Sequence, residues 1–412
     1  MKITCKNLNL DIKAPPSKSA GHRELIVNFI LGARGSYLDE APDDNDDIRA
    51  TKACLRALAG TDPDTLILNC NESGSTLRFM IPVALAMKSP SDKEIIFRTR
   101  GRLIDRPVEE IAECLKPFGV KIIKNSEANE ILVTGSIEPG RYVIDGSVSS
   151  QYISGLLMAL SYFKEESVID VTGGIASVHY IELTAEVLKK YGIDIVRKGD
   201  TFKVPARTQI RVPEGNFEVE GDWSNGAFLL CLGSLIHGGS IKVTGLKADS
   251  VQGDKAILKF MKFAGISFVT EGDTFFVMDS LRNGIGEKIE MECGDIPDIV
   301  PYMAVTGAFR AKKTILKGIK RLRIKESDRA KAITEMLTAV GGNVTLEDDI
   351  ITIEYIDKTA DTIKLTSSND HRMAMAAVLC AAATGKEIEI DNIDCLDKSF
   401  PEFRKILLKE MT

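Results

Sequence analysis

The chain has 412 residues, with 53 Lys and Arg against 59 Asp and Glu, for a formal net charge of −6. At roughly 100–200 residues per domain this length suggests two to four domains, and 44% hydrophobic with 27% charged residues excludes a generally disordered chain. The acidic balance argues against a protein whose main task is coating DNA or RNA, while leaving room for local basic clusters. Apolar runs such as 80–87 fall far short of the roughly 20 residues of a membrane-spanning helix. The first residues, MKITCKNL, have no apolar signal segment. Eight cysteines are scattered with no CxxC pair, the usage of a reduced, cytoplasmic protein without a disulfide scaffold or zinc module.

The first cluster in chain order is KAPPSKSAGHR at 13–23. Two prolines stiffen the approach, and Ser17 or Ser19 can cap a helix that begins near Ala20. Lys18 and Arg23 then face one space, the chemistry of an anion site at a helix N-terminus. A helix ending at Gly60 follows. In NESGSTLRF at 71–79, Gly74 permits close backbone approach, Ser73 and Ser75 supply donors, and Arg78 sits one turn on. An ordinary Ser/Gly loop reads the same way. RTRGRLIDR at 98–106 is strongly basic. Ser149-Ser150-Gln151 precedes an apolar helix over 153–160, as a capped N-terminus or as a set of ligand contacts.

Four segments share one pattern of amphipathic helix, glycine, short strand, polar turn and second strand, turning at Gly119, Gly192, Gly265 and Gly341 with gaps of 73, 73 and 76 residues. In the second, Leu183, Val187, Leu188 and Tyr191 form one apolar stripe, Gly192 ends the helix in the left-handed conformation, and Ile193 and Ile195 begin a half-buried strand. A hairpin turning at Lys198-Gly199-Asp200 completes it. With weaker copies ending at Gly60 and at a helix over 400–411, the chain holds six units of about 60–76 residues. These group as two domains of three. The stretch 205–222 is polar, carries two prolines and interrupts the series, marking a domain crossing in direct, hinged contact.

Toward the end, KGIKRLRIKESDRAK at 317–331 is the densest basic segment. Lys325 and Arg329, four apart, share a helix face, while Asp328 with Arg329 also reads as a surface ion pair. Asp370-His371-Arg372 opens the apolar run 373–383. Dense cationic loops in an acidic chain suggest small anionic substrates in a focused positive cleft. No GxGxxG, HExxH or GxSxG motif is present, so nicotinamide enzymes, zincins and α/β-hydrolases lose their main support.

Taken in order, PSKS at 16–19 with Arg23, ESGSTLR at 72–78, DRP at 105–107, SSQ at 149–151, LRIKESDR at 322–329, NDHRMAM at 369–375 and KSFP at 398–401 resemble the 5-enolpyruvylshikimate-3-phosphate synthases over essentially the whole chain. The resemblance implies an α/β fold of two inside-out α/β barrel domains, each of three βαβαββ units. It places the crossings near 13/14 and 220/221, giving one domain of residues 14–220 and a second of 1–13 and 221–412. It implies that the 5-hydroxyl of shikimate-3-phosphate attacks C2 of phosphoenolpyruvate, and that a tetrahedral intermediate then loses phosphate, a step of aromatic amino-acid biosynthesis. No metal or organic cofactor, no nucleic acid and no membrane partner is implied, and the protein is expected to be a monomer that closes on its substrates.

The resemblance assigns shikimate-3-phosphate to Lys18, Ser19, Arg23, Ser149, Ser150, Gln151, Ser177, Tyr180, Asp298 and Lys325. It assigns phosphoenolpyruvate to Lys18, Gly74, Arg78, Arg106, Gln151, Arg329, Arg372 and Lys398. Asp298 would accept the hydroxyl proton, Glu326 with Lys18 would serve the proton at C3, and His371 would support them. Glu72 departs from the Asn of many members. Arg321 stands where relatives carry an uncharged or acidic residue. The related UDP-N-acetylglucosamine enolpyruvyltransferases use a loop cysteine and lack PSKS, and no cysteine here has that context. RNA 3′-phosphate cyclases would need a nucleotide-binding histidine and a more basic surface. An inactive anion-binding relative is disfavoured by Lys18, Asp298 and Glu326.

Overall fold

The computed structural model describes the chain except residues 33–35, 43, 61–64, 89–93, 210, 212–218, 280–283 and 412. Residues 210 and 212–218 of the expected crossing between 205 and 222 therefore lie outside the described residues. The chain divides into two compact units, Lys18–Val219 and a split unit of Met1–Ser17 with Glu220–Thr412. Residues 14–17 go with the split unit because their backbone is tied there. Ala14 N donates to Thr244 O, Ser17 N to Glu220 O, and Asp222 N to Pro15 O. The divide thus falls at 17/18 and 219/220 rather than at 13/14 and 220/221.

Each four-stranded sheet follows one strand order: two parallel strands, then an antiparallel hairpin on the second of them. In the Lys18–Val219 unit, Thr65–Asn71 lies parallel to Glu94–Thr99, which pairs with Glu130–Thr134 and then Lys121–Asn125. Arg141–Asp145, Ser167–Thr172, Thr201–Val204 and Val196–Lys198 repeat it. In the split unit the same order joins Asn9–Lys13 to Ser240–Thr244, Thr274–Met278 and Phe268–Glu271. It also joins Gly286–Glu292 to Ala311–Lys317, Ile350–Glu354 and Val344–Leu346.

In the remaining sheet of the split unit the chain's first strand takes the edge position beside the strand that precedes the helix Pro401–Glu410. Lys2–Ile3 pairs antiparallel with Ile388–Ile390, itself parallel to Ile363–Leu365. The helix pair Lys18–Ile30 and Asp46–Ala59 has no sheet of this kind among the described residues.

The four expected turning glycines all adopt positive φ, Gly192 at 87° among them, so each helix stops where a side chain would be strained. Gly60, the weaker copy, has φ −68° and ends its helix without the left-handed turn. The strand expected from Ile193 begins three residues later, at Val196–Lys198. Ile193 and Ile195 alternate inward beside exposed Asp194 but are not paired in the sheet.

Each unit has its own apolar core. The helices Trp223–Leu235 and His371–Thr384 are buried on nearly every side, as are Gly74–Met87 and Ser150–Leu160 in the other unit. Most strands alternate buried and exposed residues, so one face of each sheet meets solvent. No helix of the described residues is long and apolar enough to cross a membrane.

Candidate active site

In the Lys18–Val219 unit the candidate residues gather at helix starts. The first helix begins at Lys18, two residues before the expected Ala20, with Ser17 just ahead of it. Ser73 caps Gly74–Met87 by accepting from Thr76 N, and Ser149 caps Ser150–Leu160 by accepting from Gln151 N at 3.3 Å. Ser177 precedes Val178–Lys190 in the left-handed conformation, φ 53°. Capping leaves Gln151 free to join two elements: its Nε2 donates to Ser75 Oγ at 2.9 Å, and its Oε1 accepts from Arg78 Nη1 at 2.7 Å. Arg78 also lies over the Tyr152 ring, 5.4 Å from its centre.

Lys18 pairs with Asp47 at 2.9 Å. Arg23 is buried, and its guanidinium donates to Thr184 Oγ1, Ser19 O, Ser154 Oγ and Tyr180 O. Burial lowers it to about 9, against the opposing influence of Tyr180. Arg106 crosses in front of Gly74, where any Cβ would overlap its guanidinium. Glu72 rests its carboxylate against Gly101.

The split unit holds the second cluster, built around Arg329. Its Nη1 donates to Asp298 Oδ1 at 2.8 Å, its Nη2 to Glu326 Oε2 at 2.6 Å, and its Nε to Asp370 Oδ2 at 2.8 Å. Lys325 Nζ is 3.4 Å from Asp298 Oδ1. Burial by itself would raise the Asp298 carboxyl, but Lys325, Arg329 and Arg372 outweigh it and hold Asp298 well below the usual range. Lys325 is lowered by burial, with Asp298 opposing. Arg329 is raised despite burial, by Asp370, Glu326 and Asp298.

Arg372 Nη1 donates to Tyr302 OH at 3.0 Å and to Asn225 Oδ1 at 3.4 Å. His371 is buried beside Asp370, Nδ1 to Oδ1 3.9 Å. Lys398 Nζ donates to Asn369 O at 3.0 Å.

Two local expectations change. The helix starts at Arg329, so Lys325 lies outside it, and the two cations converge on Asp298 instead of sharing a helix face. Asp328 is the helix cap, accepting from Lys331 N, while Arg329 is buried among other carboxylates and forms no surface pair with Asp328. No sequence pattern marks Asp47, Asp370 as the partner of Arg329, Tyr302 or Asn225 as members of these clusters. The one available signal was the acidic pair Asp46-Asp47 after Asn45, which first-turn helix preference explains equally well.

The EPSP synthase (3-phosphoshikimate 1-carboxyvinyltransferase) family matches residues 3–407. The 3-phosphoshikimate 1-carboxyvinyltransferase of Clostridium novyi (strain NT) is 32% identical over 430 residues, covering 98% of this chain and 96% of that protein. That of Methanospirillum hungatei is 30% identical, covering 97% and 95%. Among solved structures, an EPSP synthase from Acinetobacter baumannii has a TM-score of 0.74 at 20% identity, covering 100% of this chain and 99% of that one. The enolpyruvyl transferase NikO from Streptomyces tendae has a TM-score of 0.71 at 14% identity, covering 100% and 97%. At these identities the structural likeness is one of mixed α/β fold. The match over nearly the full length, carried by relatives above 30% identity, makes this chain a member of the EPSP synthase family, the 3-phosphoshikimate 1-carboxyvinyltransferases.

Proposed function

We propose that the chain joins the enolpyruvyl group of phosphoenolpyruvate to the 5-hydroxyl of shikimate-3-phosphate, releasing phosphate, and that the two clusters divide this work. The observation that carries the residue roles is the Arg329 guanidinium, which holds Asp298 on one terminal nitrogen and Glu326 on the other. Asp298, kept ionised by its cations, takes the proton of the attacking hydroxyl as the oxygen bonds to C2. Glu326, an ionised carboxylate against Arg329, passes to C3 a proton that the Lys18 ammonium supplies. In the second half the bond from C2 to the phosphate oxygen breaks, phosphate leaves with its electron pair, and C3 returns its proton to the same group.

Shikimate-3-phosphate falls to Lys18, Ser19, Arg23, Ser149, Ser150, Gln151, Ser177, Tyr180, Asp298 and Lys325. Phosphoenolpyruvate falls to Lys18, Gly74, Arg78, Arg106, Gln151, Arg329, Arg372 and Lys398. The bonds of Arg329 to its three carboxylates use four of its five N–H groups, so its share in ligand binding rests on the remaining Nη1–H. His371 supports the Asp370 corner.

The finer architecture belongs to the same reading, with each unit an inside-out α/β barrel of three βαβαββ units. Buried helices under half-exposed sheets, and the repeated strand order, support it. A cytoplasmic monomer fits eight free, buried cysteines. The test is phosphate release from phosphoenolpyruvate with shikimate-3-phosphate or UDP-N-acetylglucosamine supplied separately. Release only with shikimate-3-phosphate is expected, and release only with the UDP-sugar would overturn the reading.

A further inference from the structure

Beneath the Gly74 turn runs a chain of buried hydrogen bonds that no substrate contact requires. His22 Nδ1 lies 2.7 Å from Thr51 Oγ1, Thr51 Oγ1 lies 2.7 Å from Thr76 Oγ1, and Thr76 Oγ1 donates to Ser73 Oγ at 2.7 Å. His22, Thr51 and Thr76 are completely buried, and Ser73 is 1% exposed. Three helices supply the links: Lys18–Ile30, Asp46–Ala59 and Gly74–Met87.

Proton counting gives the chain a direction. Each hydroxyl donates once. Thr76 Oγ1 has two acceptors within reach, Ser73 Oγ at 2.7 Å and Asp47 O at 3.4 Å. The shorter contact takes the proton, so Thr51 must donate to Thr76, and Thr51 then accepts from His22. His22 is then protonated on Nδ1, and its Nε2 is a bare acceptor. Nε2 is buried without a hydrogen-bond partner, and the ring meets Phe79 edge to face at 6.2 Å. The opposite tautomer would reverse every link and bury an orphaned N–H, which proteins avoid more strictly than an orphaned acceptor. Burial lowers His22 to about 3, with Asp47 opposing and Lys18 and Arg23 reinforcing it, so the ring stays neutral.

We infer that His22, as the Nδ1–H tautomer, is a positioning residue that acts through Thr51 and Thr76 on Ser73, fixing the Ser73-Gly74-Ser75 turn against which phosphoenolpyruvate binds. At the far end, Ser73 Oγ accepts from both Thr76 Oγ1 and Thr76 N. Both lone pairs are thereby used, and one rotamer of the cap is selected. The turn then offers Gly74 and Ser75 in a single arrangement, with Ser75 held by Gln151. This inference rests on the assignment of phosphoenolpyruvate to the Gly74 turn.

Two measurements test it. The 15N shifts of His22 in the histidine-labelled wild-type protein, without substrate, are expected to report a protonated Nδ1 and a bare Nε2 down to pH 5. Protonation on Nε2 would overturn the direction of the chain, whatever the protein catalyses. In steady-state assays, Thr51→Val, which breaks the chain without changing side-chain shape, is expected to raise KM for phosphoenolpyruvate roughly tenfold. KM for shikimate-3-phosphate and kcat should change far less, and Thr51→Ser should restore the wild-type value. His22→Phe should behave as Thr51→Val does, and should add nothing in a Ser73→Ala background. Equal losses for both substrates, or additive losses in the double variant, would overturn the inference. Failure of the wild-type protein to use shikimate-3-phosphate would overturn the assigned reaction and leave the tautomer result standing.

Discussion

Arg329 and Asp370 form an ion pair that neither side chain shares with solvent, with Nε 2.8 Å from Oδ2 and Nη2 3.3 Å from Oδ1. Asp370 also accepts from Ser327 Oγ and Arg372 N, so one carboxylate ties together the two segments that carry the second cluster. Removing one partner of a buried pair leaves the other charge uncompensated. Asp370→Ala is therefore expected to destabilise the protein by about 3–5 kcal/mol. Asp328→Ala, which removes only a helix cap, should cost about 1 kcal/mol. Denaturant midpoints of the two variants check the contrast, and equal losses would refute it.

Gly74 has no room for a side chain on the Arg106 side. Because Arg106 is long and its end can move, Gly74→Ala should fold normally while displacing the guanidinium. The expected result is a KM for phosphoenolpyruvate raised about tenfold, the worth of one charged hydrogen bond, with thermal stability unchanged. An unaltered KM would show that Arg106 does not contact this substrate.

Much of this arrangement was legible in the sequence because caps and turns are local. Ser149 before Gln151, Asp370 before Arg372 and the four left-handed glycines each follow from residues within one or two helical turns. The pairings that give the clusters their charge are not local. Arg78 meets Gln151 across 73 positions and Arg329 meets Asp370 across 41, and no periodicity encodes such distances. The expected helix face shared by Lys325 and Arg329 failed because the Asp328 cap starts the helix at Arg329, leaving Lys325 outside it. The first strand completing the last sheet was likewise invisible, since two residues, Lys2 and Ile3, carry no strand pattern of their own.

Asp254 gives a pH-dependent signature. It is 4% exposed and bonded to Ser224, and burial, helped by Asp298 and Asp222, raises its carboxyl to about 7, against Ser224 and Arg372. The folded state then holds a proton that the unfolded chain releases from its ordinary 3.8. The stabilisation is complete below that lower value and is lost as pH rises toward about 7. Asp254→Asn should remove the dependence, so the variant gains on wild type between pH 5 and pH 7 by up to about 1.4 kcal/mol per pH unit. Parallel unfolding curves at each pH would contradict this.

The chemistry itself is tested most directly by Asp298→Ala, through kcat together with the dissociation constant for shikimate-3-phosphate measured by calorimetry. If Asp298 takes the hydroxyl proton, kcat should fall by about 100-fold or more, the usual cost of losing a general base, while binding weakens far less. A kcat near wild type in a variant that still binds shikimate-3-phosphate would contradict the role given to the carboxylates held by Arg329.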